Sequence, residues 1–473
     1  MNVSDATKLA YKETSIHKIL NVSFPELGLT IPHSQIYGDS MTLKESLLEK
    51  NSIEFVGCIS SMFTIQLHGI NADLKGKKIT VSIKTEGTEE IPLFNGIVDS
   101  AVKQSNKWYK KITAYDELYT KGNIDVAAWY NGLTFPISLR ELRDSLFEYV
   151  GLTQVARTLP NDSVTIEKKY EPKALKALNV MKAICQINGA FGIINRRGLF
   201  EYRILATEIV TGNIPYPATI LFPSTGLFPA SPAVAISVAE RTASEIEAET
   251  FSFYKKVNYE EYVVKPVDKV TIRQSENDAG VTYGDGTNNY IIQGNMFTYG
   301  LPEDVLTTIA GNIYQNVQGV SYHPFTSDNN GLPFIECGVD AVSYYMIDYS
   351  NEVSTASSEN SSVKNFYVFN RELKGIQNLR DSYGANGEEY QTEFITDLQT
   401  QIDVIKQDVK QEVDKAINEY DFSSQFGEFT YDKAYLDKQF ENMSQLKVVS
   451  VPALPTSPDA NKIYLIQGEV TVT

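Results

Sequence analysis

Four histidines (His17, His33, His68 and His323) and three cysteines (Cys58, Cys185 and Cys337) are where metal or nucleophilic chemistry would start. No two histidines stand at zinc-ligand spacing, and no Cys-x-x-Cys occurs. His323, before proline in SYHPF, reads as a loop or packing residue. The cysteines lie far apart along the chain and form no paired framework, so buried free thiols made in a reducing cytoplasm are expected. Neither a G-x-S-x-G nucleophile elbow nor a G-x-x-x-x-G-K-[ST] phosphate loop is present. The glycines of GVTYGDGTNNY fall between strands with no helix N-terminus to receive a phosphate, and read as a hairpin tip. NRRG at Asn195–Gly198 reads as a turn rather than a phosphate clamp. Fifty-nine acidic residues admit a glycosidase pair without singling one out. No catalytic, cofactor or metal residue is assigned, and the chain is not expected to be an enzyme.

Composition bounds the class. With 473 residues the chain is long enough for two to four domains. Twenty-eight tyrosines and 22 phenylalanines against two tryptophans favour pleated surfaces. Forty-two basic against 59 acidic residues leave a net charge of −17, the wrong sign for coating nucleic acid. Such a surface suits a passage that DNA must traverse without sticking. The opening MNVSDATKLAYKE has no apolar core, so no secretory leader is expected. No run reaches the roughly 18 apolar residues of a membrane span.

The elements follow from periodicity. Phe63, Ile65 and Leu67, then Ile79, Val81 and Ile83, alternate with polar residues between turns at 73–76, 86–88 and 104–107, as antiparallel strands do. SLRELRDSLFEYVG places Leu139, Leu142, Leu146 and Val150 on one helical face and ends at Gly151. A second helix is expected from about Lys173 to Asn188, with strand-like pieces SVTIEKKY and GLFEYRIL around it. Strand grammar returns after Thr207, with KVTIRQ and NNYIIQGN as strands, a helix over 303–317, and further strands near 334–347 and 365–370.

The stretch 388–420 reads as one long helix with a thin apolar stripe. Ile395, Leu398, Ile402, Ile405 and Val409 fall at spacings of 3, 4, 3 and 4, an a/d seam with isoleucine at both kinds of position. That choice favours three or more strands over two. Val413 and Ile417 continue the stripe after a stutter. The alternative is an amphipathic helix lying on its own domain, but the stripe is narrower than such helices usually carry. The expectation is a homotrimer held by these seven residues.

Several phrases carry a resemblance. IEFVGCISSMFTIQL with PLFNGIVDSAVKQSNKWYKKITAYDELY resembles the first barrel of the phage tail hub (tail-associated, or baseplate hub) proteins of Gram-positive phages and prophages. TFPISLRELRDSLFEYVGLTQ with LPNDSVTIEK is similar to the α/β insert of that family. KPVDKVTIRQSENDAGVTYGDGTNNYIIQGNMF resembles its second barrel, and RELKGIQNLRDSYGANGEEYQ the segment leading into a helical stalk. The resemblance spans most of residues 20–395 and carries no catalytic signature.

It implies a mainly β fold with an α/β insert: two tail-tube-like β-barrels, a small α/β domain and a C-terminal coiled-coil helix. The first barrel would occupy 1–130, completed by 208–262; the insert 131–207; the second barrel 263–370; the connector and trimeric helix 371–420; and a short tail or linker 421–473. Three such chains would close the distal end of a tail tube. The implied partners are the distal tail or tube protein, the tape-measure protein, and tip, spike or fibre proteins. Assembly in the host bacterial cytoplasm and residence at the distal tip of a virion tail follow. Many relatives continue into a peptidoglycan hydrolase or receptor-binding module, whereas only 421–473 follow the helix here, as a short tail or as the start of more chain. The rival expectations are a cell-wall hydrolase seated in 135–207 and a receptor-binding module using aromatics such as Tyr344 and Tyr345.

Overall fold

The computed structural model describes residues 4–12, 16–48, 57–104, 108–168, 171–205, 210–213, 232–235, 249–250, 254–275, 278–330, 345–348, 364–389, 447–451 and 462–466. The chain divides into two compact units, 1–407 and 408–473. In the second unit, the described residues are a parallel pair, Lys447–Val451 with Lys462–Ile466.

The first unit opens with helix α1 (Asp5–Lys12). Strands β1 (Lys18–Phe24), β2 (Leu29–Ile31), β3 (Thr42–Ser46) and β4 (Met62–His68) follow. Then come β5 (Lys78–Thr85), β6 (Ile91–Lys103) and β7 (Tyr109–Tyr115). Four helices come next, α2 (Glu117–Gly122), α3 (Ala127–Gly132), α4 (Leu139–Val150) and α5 (Ala177–Ile187), and then the hairpin β8 (Phe191–Ile194) and β9 (Phe200–Arg203). Further on lie β10 (Tyr254–Tyr259), β11 (Lys269–Arg273), β12 (Val281–Gly284), β13 (Asn289–Gln293) and α6 (Glu303–Val317). The strands β14 (Phe325–Asn330), β15 (Asn370–Lys374) and β16 (Arg380–Ala385) close the order.

Eleven strands form one sheet in the order β10-β14-β16-β15-β3-β4-β7-β6-β5-β1-β2. Alternation is strict where the sequence shows it: Phe63, Ile65 and Leu67 of β4 and Ile79, Val81 and Ile83 of β5 are buried, and their neighbours are partly exposed. These side chains, with Leu20, Val22 and Phe24 of β1, make the first apolar core. Leu373, Ile376 and Leu379 join the same core from the other end of the unit. The turn after β15 is stitched down: Asp39 Oδ1 accepts from the N–H groups of Ile376 (2.8 Å) and Gln377 (2.9 Å), and Gln377 Nε2 donates to Lys18 O at 2.6 Å.

The resemblance implied two barrels, one on each side of the helical region. Eleven of the described strands, drawn from both sides of that region, instead share one sheet, and none of the described sheets closes into a barrel. The reason is the seam: β3 pairs antiparallel with β15, with Leu43 opposite Leu373 and Glu45 opposite Arg371, so the edge that could have closed a first barrel is taken.

A second core gathers α2 to α5, the β8–β9 hairpin, β11, β13 and α6. Helix α4 starts where the sequence places it. Ser138 and Glu141 form a reciprocal capping box, and Gly151 ends the helix in the left-handed region. Helix α6 packs against the end of α5, where Gly189 leaves room: a Cβ there would stand 3.1 Å from Val317 and 3.3 Å from Asn316. Asn295 Nδ2 donates to Ala183 O and Gln186 Oε1, and Asn316 Nδ2 to Asn188 O. Residues 131–207 and the elements around α6 therefore share one apolar interior.

One expectation is corrected. GVTYGDGTNNY is not a hairpin tip, because β11 pairs antiparallel with β12 on one side and parallel with β13 on the other. The loop 285–288 passes across the start of β11, where Thr287 N donates to Asp268 Oδ2 at 3.2 Å. The turn-rich composition was read correctly, but a turn does not say which strand lies between its ends. The expected seam helix, with Ile395, Leu398, Ile402, Ile405, Val409, Val413 and Ile417, lies outside the described residues.

Within β6, Gly96 has no room for a side chain. A Cβ would meet Tyr115 O at 2.2 Å and the Phe94 ring at 2.5 Å. Gly96→Ala should lower stability by about 1–3 kcal/mol, as overpacking does, read as a reduced midpoint in denaturant unfolding.

Candidate functional site: the charged seam and the groove above it

The seam between β3 and β15 carries the densest polar structure described in the molecule. Arg371 lies opposite Glu45 on one side and Tyr383 on the other, with Asp381 two pairs along. Its guanidinium grips Asp381 with both oxygens: Nε to Oδ1 at 2.8 Å and Nη2 to Oδ2 at 2.6 Å. The Tyr383 hydroxyl donates to Asp381 Oδ2 at 2.7 Å. Arg371 Nη1 reaches Glu45 Oε2 at 3.3 Å, and Arg196 Nη2 pairs with that same oxygen. Arg196 Nη1 also donates to Leu93 O on β6, at 2.7 Å.

These four charged side chains are 1% (Arg371), 1% (Asp381), 10% (Glu45) and 5% (Arg196) exposed. Two positive and two negative groups balance. Burial disfavours the Arg371 cation, and Asp381 more than reverses this, so the guanidinium is held above its usual range. Arg196 comes from the NRRG turn between β8 and β9. That turn is where the sequence placed it, and its first arginine is a structural cation reaching into the large sheet.

The opposite face of the seam is solvent-facing. Lys44 pairs with Glu372 at 3.2 Å, and Lys374 with the same carboxylate at 2.6 Å. Burial would raise the Glu372 pKa, but the two lysines outweigh it and hold the carboxyl below the usual range. Lys44 and Glu372, with Ser46, Ser60, Asn370 and Ser382, line an open groove of about 500 Å³.

A second polar anchor stands where the sheet passes into the helical region. Asp116 follows β7 and caps α2, its Oδ1 accepting from Leu118 N at 3.0 Å and its Oδ2 from Ser61 N at 2.6 Å. It is 1% exposed. Burial pushes its pKa up to about 7, against the pull of the Ser61 and Leu118 hydrogen bonds.

The titratable residues singled out in the sequence do not converge. His17 and His33 meet edge to face with ring centroids 5.4 Å apart. His68 lies against Tyr109, and His323 sits in a loop against Tyr259, its Nδ1 3.2 Å from Glu260 O. Among the described residues no group of three or more His, Cys, Asp or Glu side chains is placed to hold a metal ion. Tyr344 and Cys337 lie outside the described residues. Two cysteines are brought together: Cys58 and Cys185 are buried free thiols with sulfurs 3.6 Å apart, a pairing that their separation of 127 residues did not announce.

The charged seam was also missed, although a signal exists. Arg371 alternates in step with Leu373, Glu45 with Leu43 and Leu47, and Asp381 with Tyr383 and Ala385. Read at strand period, these charges fall at core parity.

No protein-family model and no curated protein matches the sequence. Among solved structures, the chain is similar to proteins of phage and prophage tails. A tail protein from Neisseria meningitidis MC58 aligns at TM-score 0.45 and 10% identity, over 80% of this chain and 98% of that one. The 43 kDa tail protein of prophage MuSo2 from Shewanella oneidensis aligns at 0.45 and 9%, over 78% and 98%. The prophage tail protein gp18 from Listeria monocytogenes EGD-e aligns at 0.41 and 10%, over 83% and 98%.

Two outcomes follow from the site. Arg371→Met strands Asp381 in the interior, while Glu45 keeps Arg196, and should cost about 3–5 kcal/mol, measured by equilibrium unfolding. For Asp116 the folded pKa lies above the unfolded value. Its contribution to stability is therefore full below about pH 4 and is lost as the pH rises to about 7. Relative to Asp116→Asn, the wild type should gain stability as the pH falls from 7 towards 4, measured by paired unfolding curves across that range.

Proposed function

We propose that this chain is a structural, non-catalytic component of a phage or phage-tail-like particle: a trimeric hub closing the distal end of the tail tube. In this role it joins the tube and distal-tail ring to the tip, spike or fibre, and guides the tape-measure protein and DNA outward. The observation that carries the reading is the eleven-stranded sheet. Built from both ends of the first unit, it leaves β2 and β10 as edges among the described strands. Long sheets do not leave edges unmanaged, and pairing with another copy is one way to satisfy them. The a/d stripe over 395–417 supports a threefold partner of the same chain, and the charge of −17 supports a lumen that DNA passes without adhering.

On this reading residues 1–130 with 208–262, and 263–370, supply the ring's β-structure. Residues 131–207 project from it as an α/β insert. The connector and stalk occupy 371–420, and 421–473 lead to the next tail component.

The test is solution mass by light scattering after size exclusion, at low and high salt. The expected mass is three times 52.9 kDa and is insensitive to salt. Ile402→Asp with Ile405→Asp should abolish the trimer while leaving the circular dichroism of the sheet unchanged. A wild-type monomer under both salts, in the presence and absence of tube protein, would overturn the reading.

A further inference from the structure

The closest approach of two reactive groups outside the charged seam is that of Cys58 and Cys185. Cys58 stands on the lead-in to β4, bridged to Gly192 of β8, with Gly192 N donating to Gly57 O at 2.8 Å. Cys185 is on the buried face of α5. Gly192 makes the approach possible, since a Cβ there would lie 2.6 Å from Cys58 Sγ. The two sulfurs are 3.6 Å apart, and Cys58 and Cys185 are 3% and 0% exposed. A disulfide needs about 2.05 Å, so the sulfurs must close the remaining gap for the bond to form. Phe191, Phe200 and Tyr202 belong to the same apolar core as the pair. Burial raises the Cys185 thiol well above its ordinary range, and its neighbour Cys58 raises it further, so thiolate-driven exchange with bulky disulfides is suppressed.

We propose that Cys58 and Cys185 are an oxidisable pair that a peroxide converts to a disulfide, locking α5 to the segment that leads into β4. A small uncharged oxidant suits a site closed to larger ones. Cys58, the more exposed sulfur, attacks peroxide: an S–O bond forms, the O–O bond breaks, and the departing hydroxide takes the thiol proton and leaves as water. The sulfenic acid is then attacked by Cys185 Sγ. The S–S bond forms, the S–O bond breaks, and a second water leaves with the remaining proton. Two thiols are oxidised and one peroxide is reduced to two waters. The bond lies within the second apolar core, which holds both cysteines, and joins its helix α5 to the chain four residues before β4. The timing alone rests on the tail reading: a chain folded in a reducing cytoplasm and released outside it would close the lock after assembly.

The experiment uses the full chain with Cys337→Ser, leaving the pair as the sole thiols, and hydrogen peroxide as the probe. The intact mass should fall by two hydrogens, and a non-reducing digest should link the Cys58 peptide to the Cys185 peptide. The thermal midpoint should rise by ~5 °C or more and return after reduction with dithiothreitol. In the same background, Cys185→Ala should accumulate a dimedone-reactive sulfenic acid on Cys58 with no rise in midpoint. The proposal is overturned if the native chain resists peroxide while the denatured chain reacts. Sulfenic or sulfinic acid without the cross-link, or a linked form no more stable than the reduced one, would overturn it too. None of these outcomes depends on whether the chain is a trimer.

Discussion

Arg371 and its partners hold together segments that the chain delivers from three places: β3 near its start, the β8–β9 turn in its middle, and the β15–β16 hairpin beyond residue 369. Burying four charges is expensive, and such a cluster returns little net stability over a well-packed apolar alternative. Its stronger effect is on register. If β15 slipped by one residue against β3, Arg371 would turn to the groove face and Leu373 with it, leaving Asp381 without a counter-charge and Glu45 with Arg196 alone. Fully bonded on both sides, the knot fixes one alignment of the seam, and every strand beyond β15 inherits it.

The two apolar cores divide the work around that seam. The first is a sheet interior of period-two side chains from β1, β4 and β5. The second is built from helices and short strands that contribute one or two faces each. They meet through polar joints: Arg196 reaching from the NRRG turn to Glu45 and Leu93, and Asp116 tying the lead-in to β4 to the first turn of α2. Helices packed on a sheet by directed hydrogen bonds keep a set orientation.

The parts of the fold legible in the sequence are those governed by local periodicity. The alternation in β4 and β5, the capping box and glycine stop of α4, and the span of α6 can each be read from a dozen residues. The pairing of β3 with β15 cannot, because nothing in TLKES names NRELK as its neighbour. The resemblance implied two barrels where eleven of the described strands share one sheet, and the same limit produced a hairpin tip where β11 runs between β12 and β13. The candidate site was partly legible: Asn195–Gly198 was rightly read as a turn. The core-parity charges at 45, 371 and 381 were visible, but only to a reading that asks why a charge falls on an apolar beat. The thiol pair was hidden for the same reason as the seam, since contact between distant residues is written in topology rather than in spacing.

That topology also sets an order of events during synthesis. Glu45 and Arg371 are 326 residues apart. The strands β4 to β7 can pair as they leave the ribosome, since each neighbour in that group is near in sequence. Strand β3 has β4 beside it early, but its other side must wait until β15 has been translated. For most of the chain's synthesis the sheet therefore carries an open inner edge with a carboxylate, Glu45, at core parity. A buried-to-be charge is a poor template for a foreign strand, so the residue that later anchors the seam guards the nascent chain against mispairing until its own partner arrives.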